Sequence, residues 1–161
     1  HEIKESLASF KGVQRRFSYR IKTPNFVLID DYAHHPTEIG AVENSVREMY
    51  PNKKVLVIFQ PHLFSRTRDF IEDFANVLSK FDEIALLDIY PARELPIKGV
   101  DSSWLFGKIT NRHKKLVEKN NLVKVIKNSS VEVVVMLGAG DIGIAINEVT
   151  NELLNHQVNE V

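Results

Sequence analysis

At the centre of the sequence stands Val55-Leu56-Val57-Ile58-Phe59, a continuous apolar run that ends at the polar cluster Gln60-Pro61-His62. A short run with β-branched residues and no alternation is typical of a strand buried on both faces of a parallel sheet. Similar runs recur along the chain and alternate at short spacing with helical patterns. This alternation predicts βαβ units, and therefore an α/β fold with a mostly parallel sheet flanked by helices.

The limits of the predicted elements follow from their periodicity and their turn residues. A short N-terminal β-hairpin is expected at the start, with its turn at Lys22-Thr23-Pro24-Asn25. Strands are expected at residues 16–21, 26–30, 54–59, 83–88 and 131–137. Helices are expected at residues 36–49, 65–80, 102–105, 120–127 and 142–154, after the tail of one more helix at residues 2–10.

Four of the predicted strands run into polar clusters at their C-terminal ends. The clusters are residues 31–36, 60–67, 89–94 and 138–141. Ligands bind outside the carboxyl ends of the strands in an open parallel sheet. If these strands are neighbours, the four clusters meet at one edge and form a site.

Composition limits the classes of protein that need to be considered. The 161 residues are most simply one domain, and a chain of this length can bury a full core. The 21 basic and 21 acidic residues balance, so we expect no nucleic-acid partner, and the tract Arg112-His113-Lys114-Lys115 is predicted to be solvated surface.

The lack of cysteine excludes disulfides and thiolate metal sites. No apolar run reaches the ~20 residues of a membrane span. Because the chain starts at His1, we expect a piece of a longer polypeptide.

A glycine pattern, Gly138-Ala139-Gly140-Asp141-Ile142-Gly143, follows the last strand and fits the dinucleotide fingerprint G-x-G-x-x-G. That fingerprint belongs to a first βαβ unit and needs an acidic residue about 20 positions further on. Only 18 residues remain here, so a tight strand-to-helix turn is the simpler interpretation. A phosphate loop of the G-x-x-x-x-G-K-[ST] type is absent from the chain.

Imidazole and guanidinium groups at the strand ends are the candidate ligand contacts. His34, His35 and His62 lack the spacing of a metal site, so we predict no metal and expect these rings to contact an anionic substrate. Arg66 follows a strand end, where a guanidinium can grip a carboxylate or phosphate with two hydrogen bonds. A surface pair with Asp69 is the alternative for this arginine.

Several blocks of the sequence together resemble one known family. They are Phe10-Lys11-Gly12-Val13-Gln14-Arg15-Arg16-Phe17, Asp30-Asp31-Tyr32-Ala33-His34-His35-Pro36-Thr37-Glu38-Ile39, Phe59-Gln60-Pro61-His62 with Ser65-Arg66-Thr67, Asp88-Ile89-Tyr90-Pro91-Ala92-Arg93-Glu94 and Gly138-Ala139-Gly140-Asp141. In these blocks the chain is similar to the C-terminal domain of the Mur ligases, from about residue 2 to residue 150. The block from Asp30 to Ile39 is highly specific, whereas the glycine block is not.

The resemblance implies a three-domain parent enzyme. Residues 1–161 would be its third, Rossmann-like domain, and residues 1–15 would end the linker from the central domain. The first domain would bind a UDP-sugar, and the central domain would carry the phosphate loop and the magnesium ligands. The parent would use ATP and Mg²⁺ to activate a carboxylate as an acyl phosphate, which the amine of L-alanine would attack. The isolated domain would retain no cofactor and would be inactive.

The family pattern also implies roles for individual residues. Arg16 would reach the ATP phosphates, and Asp31 would contact the nucleotide and orient Arg16. The amino-acid substrate would be surrounded by Tyr32, His34, His35, His62 and Arg66, with Arg66 on its carboxylate. No residue of this domain is expected to be catalytic.

The sequence departs from the family pattern at two positions. Many members carry a basic residue where this chain has Leu63 and a tyrosine where it has Phe64. The grip on the carboxylate would therefore depend more on Arg66 and the histidines. The resemblance leaves open the roles of Arg93, Glu94 and the turn at residues 138–141.

The sequence is compatible with three functions. The Phe59-Gln60-Pro61-His62 block favours the member that adds L-alanine, a cytoplasmic enzyme of peptidoglycan precursor synthesis that serves cell-wall biogenesis, cell shape and division. The alternative within the family is the recycling ligase, which joins a murein tripeptide instead. The alternative from another class is a stand-alone nucleotide-binding module, which the glycine pattern favours.

Overall fold

The computed structural model describes residues 14–158, and side chains as far as residue 155. The helix tail predicted at residues 2–10 and most of the linker predicted at residues 1–15 lie outside the described residues. Within them, one sheet contains the six strands β1 (Ser18–Lys22), β2 (Val27–Asp31), β3 (Val55–Phe59), β4 (Glu83–Leu86), β5 (Lys114–Leu116) and β6 (Val133–Leu137).

The strands stand in the order β1-β2-β6-β3-β4-β5. The β1–β2 pair is an antiparallel hairpin, and every other neighbouring pair is parallel. The predicted α/β fold, with its N-terminal hairpin and mostly parallel sheet, is confirmed. The four strands that run into polar clusters are consecutive neighbours in the order β2-β6-β3-β4, so their clusters do meet at one edge.

Helices cover both faces of the sheet. They are α1 (Pro36–Met49), α2 (Phe64–Asp69), α3 (Ile71–Leu78), α4 (Ser102–Lys108), α5 (Leu122–Lys127) and α6 (Ile142–Val158), with a 3₁₀ turn at Lys119–Asn121. On one face, Ile39 of α1 and Phe74 of α3 pack with residues of β3 such as Val57. On the other face, Leu122 of α5 and Ile146 of α6 complete a second core.

The middle of the sheet is buried on both faces. All five residues of β3 and all five of β6 are buried, as expected of strands with helices on each side. Each large apolar side chain of this kind stabilises the fold by roughly 1.5–3 kcal/mol. The burial of β3 and β6 therefore gives the loops at their C-terminal ends a rigid support.

The prediction of one helix over residues 65–80 is wrong, because the segment forms two helices, α2 and α3. The break lies at Phe70, whose φ of −118° and ψ of 25° are not helical. The Phe70 ring packs against the ring of His35, with 4.6 Å between the ring centroids. The break separates the helix that carries Arg66 from the longer helix that packs on the core.

The interpretation of residues 112–115 as solvated surface holds for Arg112 and His113, which are exposed, but Lys114 and Lys115 are half-buried and belong to the edge strand β5. The Nζ atom of Lys114 donates to the carbonyl oxygens of Phe106 at 2.8 Å and Ile109 at 2.5 Å. It also lies 4.6 Å from the centroid of the Phe106 ring. Lys114 therefore binds the carboxyl end of α4, where a cation is favoured by the helix dipole.

Candidate ligand-binding site

A row of aromatic rings crosses the carboxyl edge of the sheet. The ring centroids of Tyr32 and His34 are 5.3 Å apart, those of His34 and His62 are 5.9 Å apart, and those of His62 and Tyr90 are 5.6 Å apart. These four residues come from the loops after β2, β3 and β4. The structure thus brings together three of the predicted site residues and adds Tyr90, which sequence reasoning left unassigned within its cluster.

Arg66 lies directly beside this row. Its Nη1 is 3.3 Å from Nδ1 of His62 and 3.5 Å from the His62 carbonyl oxygen. A guanidinium only donates, so Nδ1 of His62 is the acceptor and its proton is on Nε2. Burial, followed by the charges of Arg66 and His34, lowers the pKa of His62, which is therefore neutral at pH 7.

The proposed surface pair between Arg66 and Asp69 is not formed. Asp69 accepts instead from Nε of Arg68 at 2.7 Å, and both of these side chains are about half exposed. Among the described residues, both hydrogen bonds of the Arg66 side chain use Nη1. Its Nε and Nη2 are therefore available for a planar acceptor such as a carboxylate.

His34 is held in one orientation by its own loop. Its Nδ1 lies 2.9 Å from the Tyr32 carbonyl oxygen and 3.4 Å from Oε2 of Glu38. Since a carbonyl oxygen only accepts, Nδ1 carries a proton. Nε2 is then the ring nitrogen that is available to a ligand.

His35 lies outside the ring row and forms the N-terminal cap of α1. Its Nδ1 accepts from the backbone nitrogen of Thr37 at 3.4 Å, and Glu38 Oε2 accepts from the backbone nitrogens of His35 at 3.2 Å and His34 at 2.9 Å. This is a reciprocal capping box. The prediction groups His35 with the substrate contacts, but the structure places its ring against Phe70.

Asp31 is buried, and its carboxylate accepts hydrogen bonds from two separate segments of the backbone. Its Oδ2 accepts from the backbone nitrogen of Phe17 at 2.6 Å, and its Oδ1 accepts from that of Ala33 at 2.8 Å. The prediction has Asp31 orienting the side chain of Arg16. In the structure the contact is to the backbone of the next residue, and Arg16 is exposed with no side-chain hydrogen bond to the described residues.

Arg15, which sequence reasoning did not select, is the arginine that reaches the sheet. Its Nε donates to Oδ1 of Asp30 at 3.2 Å, and its Nη2 donates to the Gly138 carbonyl oxygen at 2.5 Å. The guanidinium also lies 5.1 Å from the centroid of the Tyr32 ring. Arg15 and Arg16 are adjacent in the same family block, so no signal in one sequence distinguishes them.

Protein side chains fill the space around the glycine turn. A Cβ atom at Gly140 would lie 2.5 Å from Gln60 Oε1, and one at Gly143 would overlap Nη1 of Arg15. At Gly138, φ is 147° and a Cβ atom would lie 2.8 Å from the Gln60 carbonyl oxygen. The three glycines are therefore explained by close packing with Gln60 and Arg15.

The buried amide of Gln60 also caps α6. Its Oε1 accepts from the backbone nitrogen of Ile142 at 3.0 Å, and its Nε2 donates to Asp141 Oδ1 at 2.7 Å. Asp141 also accepts from Lys119. Because a dinucleotide phosphate would need this helix N-terminus, the geometry counts against the stand-alone nucleotide-binding alternative.

Neither a metal cluster nor a membrane span is found in residues 14–158. No group of three or more His, Asp or Glu side chains in that part of the chain is arranged to hold a metal ion. None of its helices has both the length and the apolar composition needed to cross a membrane.

A family model described as "Mur ligase, glutamate ligase domain" matches residues 15–144. The UDP-N-acetylmuramate–L-alanine ligase of Christiangramia forsetii is 64% identical over 155 residues, which cover 96% of this chain and 34% of that protein. The ligase of the same name from Flavobacterium psychrophilum is 63% identical over 151 residues, covering 94% of this chain and 34% of that protein. This chain therefore spans about a third of the length of these relatives.

Solved structures agree with these sequence relatives. The UDP-N-acetylmuramate–alanine ligase of Thermotoga maritima superposes with a TM-score of 0.74 at 30% identity, covering 94% of this chain and 33% of that one. A murein peptide ligase from Psychrobacter arcticus superposes with a TM-score of 0.66 at 18% identity, covering 91% of this chain and 31% of that one. The second similarity shows a shared fold only.

Proposed function

This chain belongs to the Mur ligase family, and we propose that residues 1–161 form the third, C-terminal domain of a UDP-N-acetylmuramate–L-alanine ligase. Residues 1–15 then end the linker from a central domain. The identities of 64% and 63% to two such ligases support the choice of L-alanine over a murein peptide. About two thirds of each relative lies outside the matched part, which leaves room for two further domains, and we assign one to the UDP-sugar and one to the phosphate loop and magnesium ligands.

In this proposal the full-length protein, with Mg²⁺, transfers the terminal phosphoryl group of ATP to the carboxylate of UDP-N-acetylmuramate, which gives an acyl phosphate and releases ADP. The amine of L-alanine attacks the acyl carbon, phosphate leaves, and an amide forms. The product is a precursor of peptidoglycan, made in the cytoplasm where ATP is available. The contribution of this domain is to position the amino acid and to stabilise charge.

The Arg66–His62 contact carries the assignment of the amino-acid site. The guanidinium uses Nη1 on His62, which leaves Nε and Nη2 for the two parallel hydrogen bonds that a carboxylate accepts. The neutral His62 ring and the oriented His34 ring stand beside it and suit a small polar substrate. The exposed guanidinium of Arg16 suits the phosphate oxygens of ATP.

Steady-state kinetics of the full-length protein test the assignment. Arg66→Ala is expected to raise KM for L-alanine roughly 10- to 150-fold, because a charge-assisted hydrogen bond is lost. KM for UDP-N-acetylmuramate should change much less, since another domain holds that ligand. Arg66→Lys should restore part of the affinity, because an ammonium cannot form the planar fork.

Arg68→Ala is the matched control, because Arg68 lies on the same helix but forms an exposed pair with Asp69. It should leave KM for L-alanine unchanged. An unchanged KM for L-alanine in Arg66→Ala would exclude the carboxylate role. Ligation of a murein tripeptide in preference to L-alanine would instead identify the recycling ligase.

The isolated chain provides a second test of the domain assignment. It has two cores of its own, so we expect cooperative unfolding. It has no phosphate loop, so we expect no ATP-dependent release of phosphate. A turnover near the ~10 s⁻¹ of ordinary enzymes would contradict the assignment.

A further inference from the structure

The loop after β4 holds the beginning of the helix that carries Arg66. Oε2 of Glu94 accepts from the backbone nitrogen of Ser65 at 2.9 Å, and Oε1 of Glu94 accepts from the Ser65 hydroxyl. Ser65 is 29 positions from Glu94 in the sequence. A residue from a different loop therefore fixes the first turn of α2.

The helix α2 has no N-terminal cap within its own segment. The residue before it, Leu63, has a φ of 74° and a ψ of 131°, a conformation that a non-glycine residue rarely adopts. Its backbone is held by Tyr90, whose carbonyl oxygen accepts from the Leu63 nitrogen at 2.9 Å, and by Thr67, whose nitrogen donates to the Leu63 oxygen at 3.1 Å. A six-residue helix with a strained start is not stable by itself.

The same loop also supports His62. The His62 ring stacks on Tyr90, with an interplanar angle of 26°, and the two residues form an isolated parallel bridge. The Tyr90 nitrogen donates to the Pro61 carbonyl oxygen at 2.8 Å. Tyr90 thus holds one partner of the Arg66–His62 contact, and Glu94 holds the segment of the other.

Glu94 is ionised at neutral pH. The hydroxyl and the backbone nitrogen of Ser65 lower the pKa of Glu94, and the charge of Arg66 acts in the same direction. An ionised carboxylate accepts both hydrogen bonds at once, whereas a side-chain amide has only one acceptor oxygen.

We propose that Glu94 is a positioning residue, which holds Ser65 and thereby sets the position of the Arg66 guanidinium beside His62. The inference rests on the proposed function, because it concerns the affinity of that same site for the carboxylate of the amino acid. Ser65 and Arg66 are consecutive, so a shift of the first turn of α2 moves the guanidinium away from His62.

Kinetics of the full-length protein distinguish positioning from general stability. Glu94→Ala is expected to raise KM for L-alanine roughly 3- to 10-fold, the effect of a hydrogen bond. KM for ATP and for UDP-N-acetylmuramate should stay within about twofold. Glu94→Gln should restore part of the affinity, because its single amide oxygen accepts one of the two bonds.

Ser65→Ala removes the hydroxyl and keeps the backbone nitrogen, so its effect should be smaller than that of Glu94→Ala. The double variant should resemble Glu94→Ala alone, because the two residues act through the same contact. Glu72→Ala is the matched control, since Glu72 forms an exposed pair with Lys108 on neighbouring helices. It should leave every KM unchanged.

Equal changes in all three KM values for Glu94→Ala would show a purely structural role and overturn the inference. Additive effects of Ser65→Ala and Glu94→Ala on KM for L-alanine would overturn it as well. If Glu94→Ala folds poorly, Glu94→Gln replaces it, both in the comparison of the three KM values and in the double variant with Ser65→Ala. If Arg66→Ala raises KM for L-alanine and Glu94→Ala does not, the inference fails while the proposed function stands. If Arg66→Ala has no effect, both fail.

Discussion

Arg15 closes over Asp30, with 3.2 Å between Nε of the guanidinium and Oδ1 of the carboxylate. Asp30 is 2% exposed, and its Oδ2 has no hydrogen-bond partner among the described residues. The same guanidinium donates to the carbonyl oxygen of Gly138. Arg15 therefore neutralises a buried carboxylate and joins the segment before β1 to the ends of β2 and β6.

Arg15→Ala is expected to lower the free energy of unfolding of the chain by about 2 kcal/mol, because it leaves the Asp30 carboxylate buried without a counter-charge. Urea denaturation at pH 7 measures the loss. Arg112→Ala, at an exposed position in the loop before β5, is the control and should stay within about 0.5 kcal/mol of the parent. Equal losses in the two variants would contradict the role given to Arg15.

The loss of unfolding free energy in Arg15→Ala should be larger at neutral pH than at low pH. Burial raises the pKa of Asp30, and Arg15 opposes this rise, so removal of Arg15 raises the pKa further. A raised folded-state pKa favours folding at low pH and weakens it as pH rises through that pKa. The difference between parent and variant should therefore be full at neutral pH and shrink as the solution is acidified. Unfolding measured at a series of pH values tests this, and a constant difference would count against it.

Glu38→Ala is expected to cost about 1 kcal/mol at pH 7 through the loss of the capping box. Burial acts to raise the pKa of Glu38, but the backbone nitrogens of His34 and His35 outweigh it and lower the pKa. A lowered folded-state pKa contributes stability that is present above the ordinary carboxyl pKa and is lost as pH falls through the folded value. The cost should therefore begin to shrink as pH falls below about 4.3, the ordinary pKa of glutamate, and disappear only below the lowered folded-state pKa. A cost that persists at low pH would mean that packing is responsible instead.

Gly140→Ala is expected to destabilise the chain by about 2 kcal/mol. The new Cβ atom would lie 2.5 Å from Gln60 Oε1 and 2.7 Å from Cβ of Tyr90, and Gln60 is already committed to capping α6. Gly107→Ala is the matched control, because Gly107 is inside the helix α4 and a Cβ atom there would meet no neighbouring atom within 4 Å. That variant should gain about 0.5–1 kcal/mol from helix propensity, and thermal unfolding should show opposite shifts for the two substitutions.

The strands and the edge they form could be predicted because buried strands have a local signature. The apolar runs at β3 and β6 are unbroken, and the clusters that follow them are polar, so the position of Tyr32, His34 and His62 could be anticipated. β5 has no such signature, because Lys114 is stabilised by carbonyl oxygens of α4 that sequence pattern does not reveal.

The residues that were missed depend on backbone conformation and on distant partners. Arg15 has a φ of 58° and Phe17 a φ of 46°, both in the left-handed region, so strand alternation does not indicate which arginine faces the sheet. The position of His35 just before a helix could be predicted from Pro36, but the family pattern implied a substrate contact for His35 and gave no indication that its ring caps α1. The contact between Glu94 and Ser65 joins two loops, and nothing in either loop alone predicts it.

β6 inserts between β2 and β3, although it is the last strand of the sheet to be synthesised. Val133 pairs with both Val27 and Val55, so the centre of the sheet waits for almost the whole domain to leave the ribosome. Until then β2 and β3 have no common neighbour, and their apolar edges are open to other chains. We therefore expect the parallel centre of the sheet to form only after β6 has been synthesised, and a chain cut before Val133 should expose the apolar edges of β2 and β3 and aggregate.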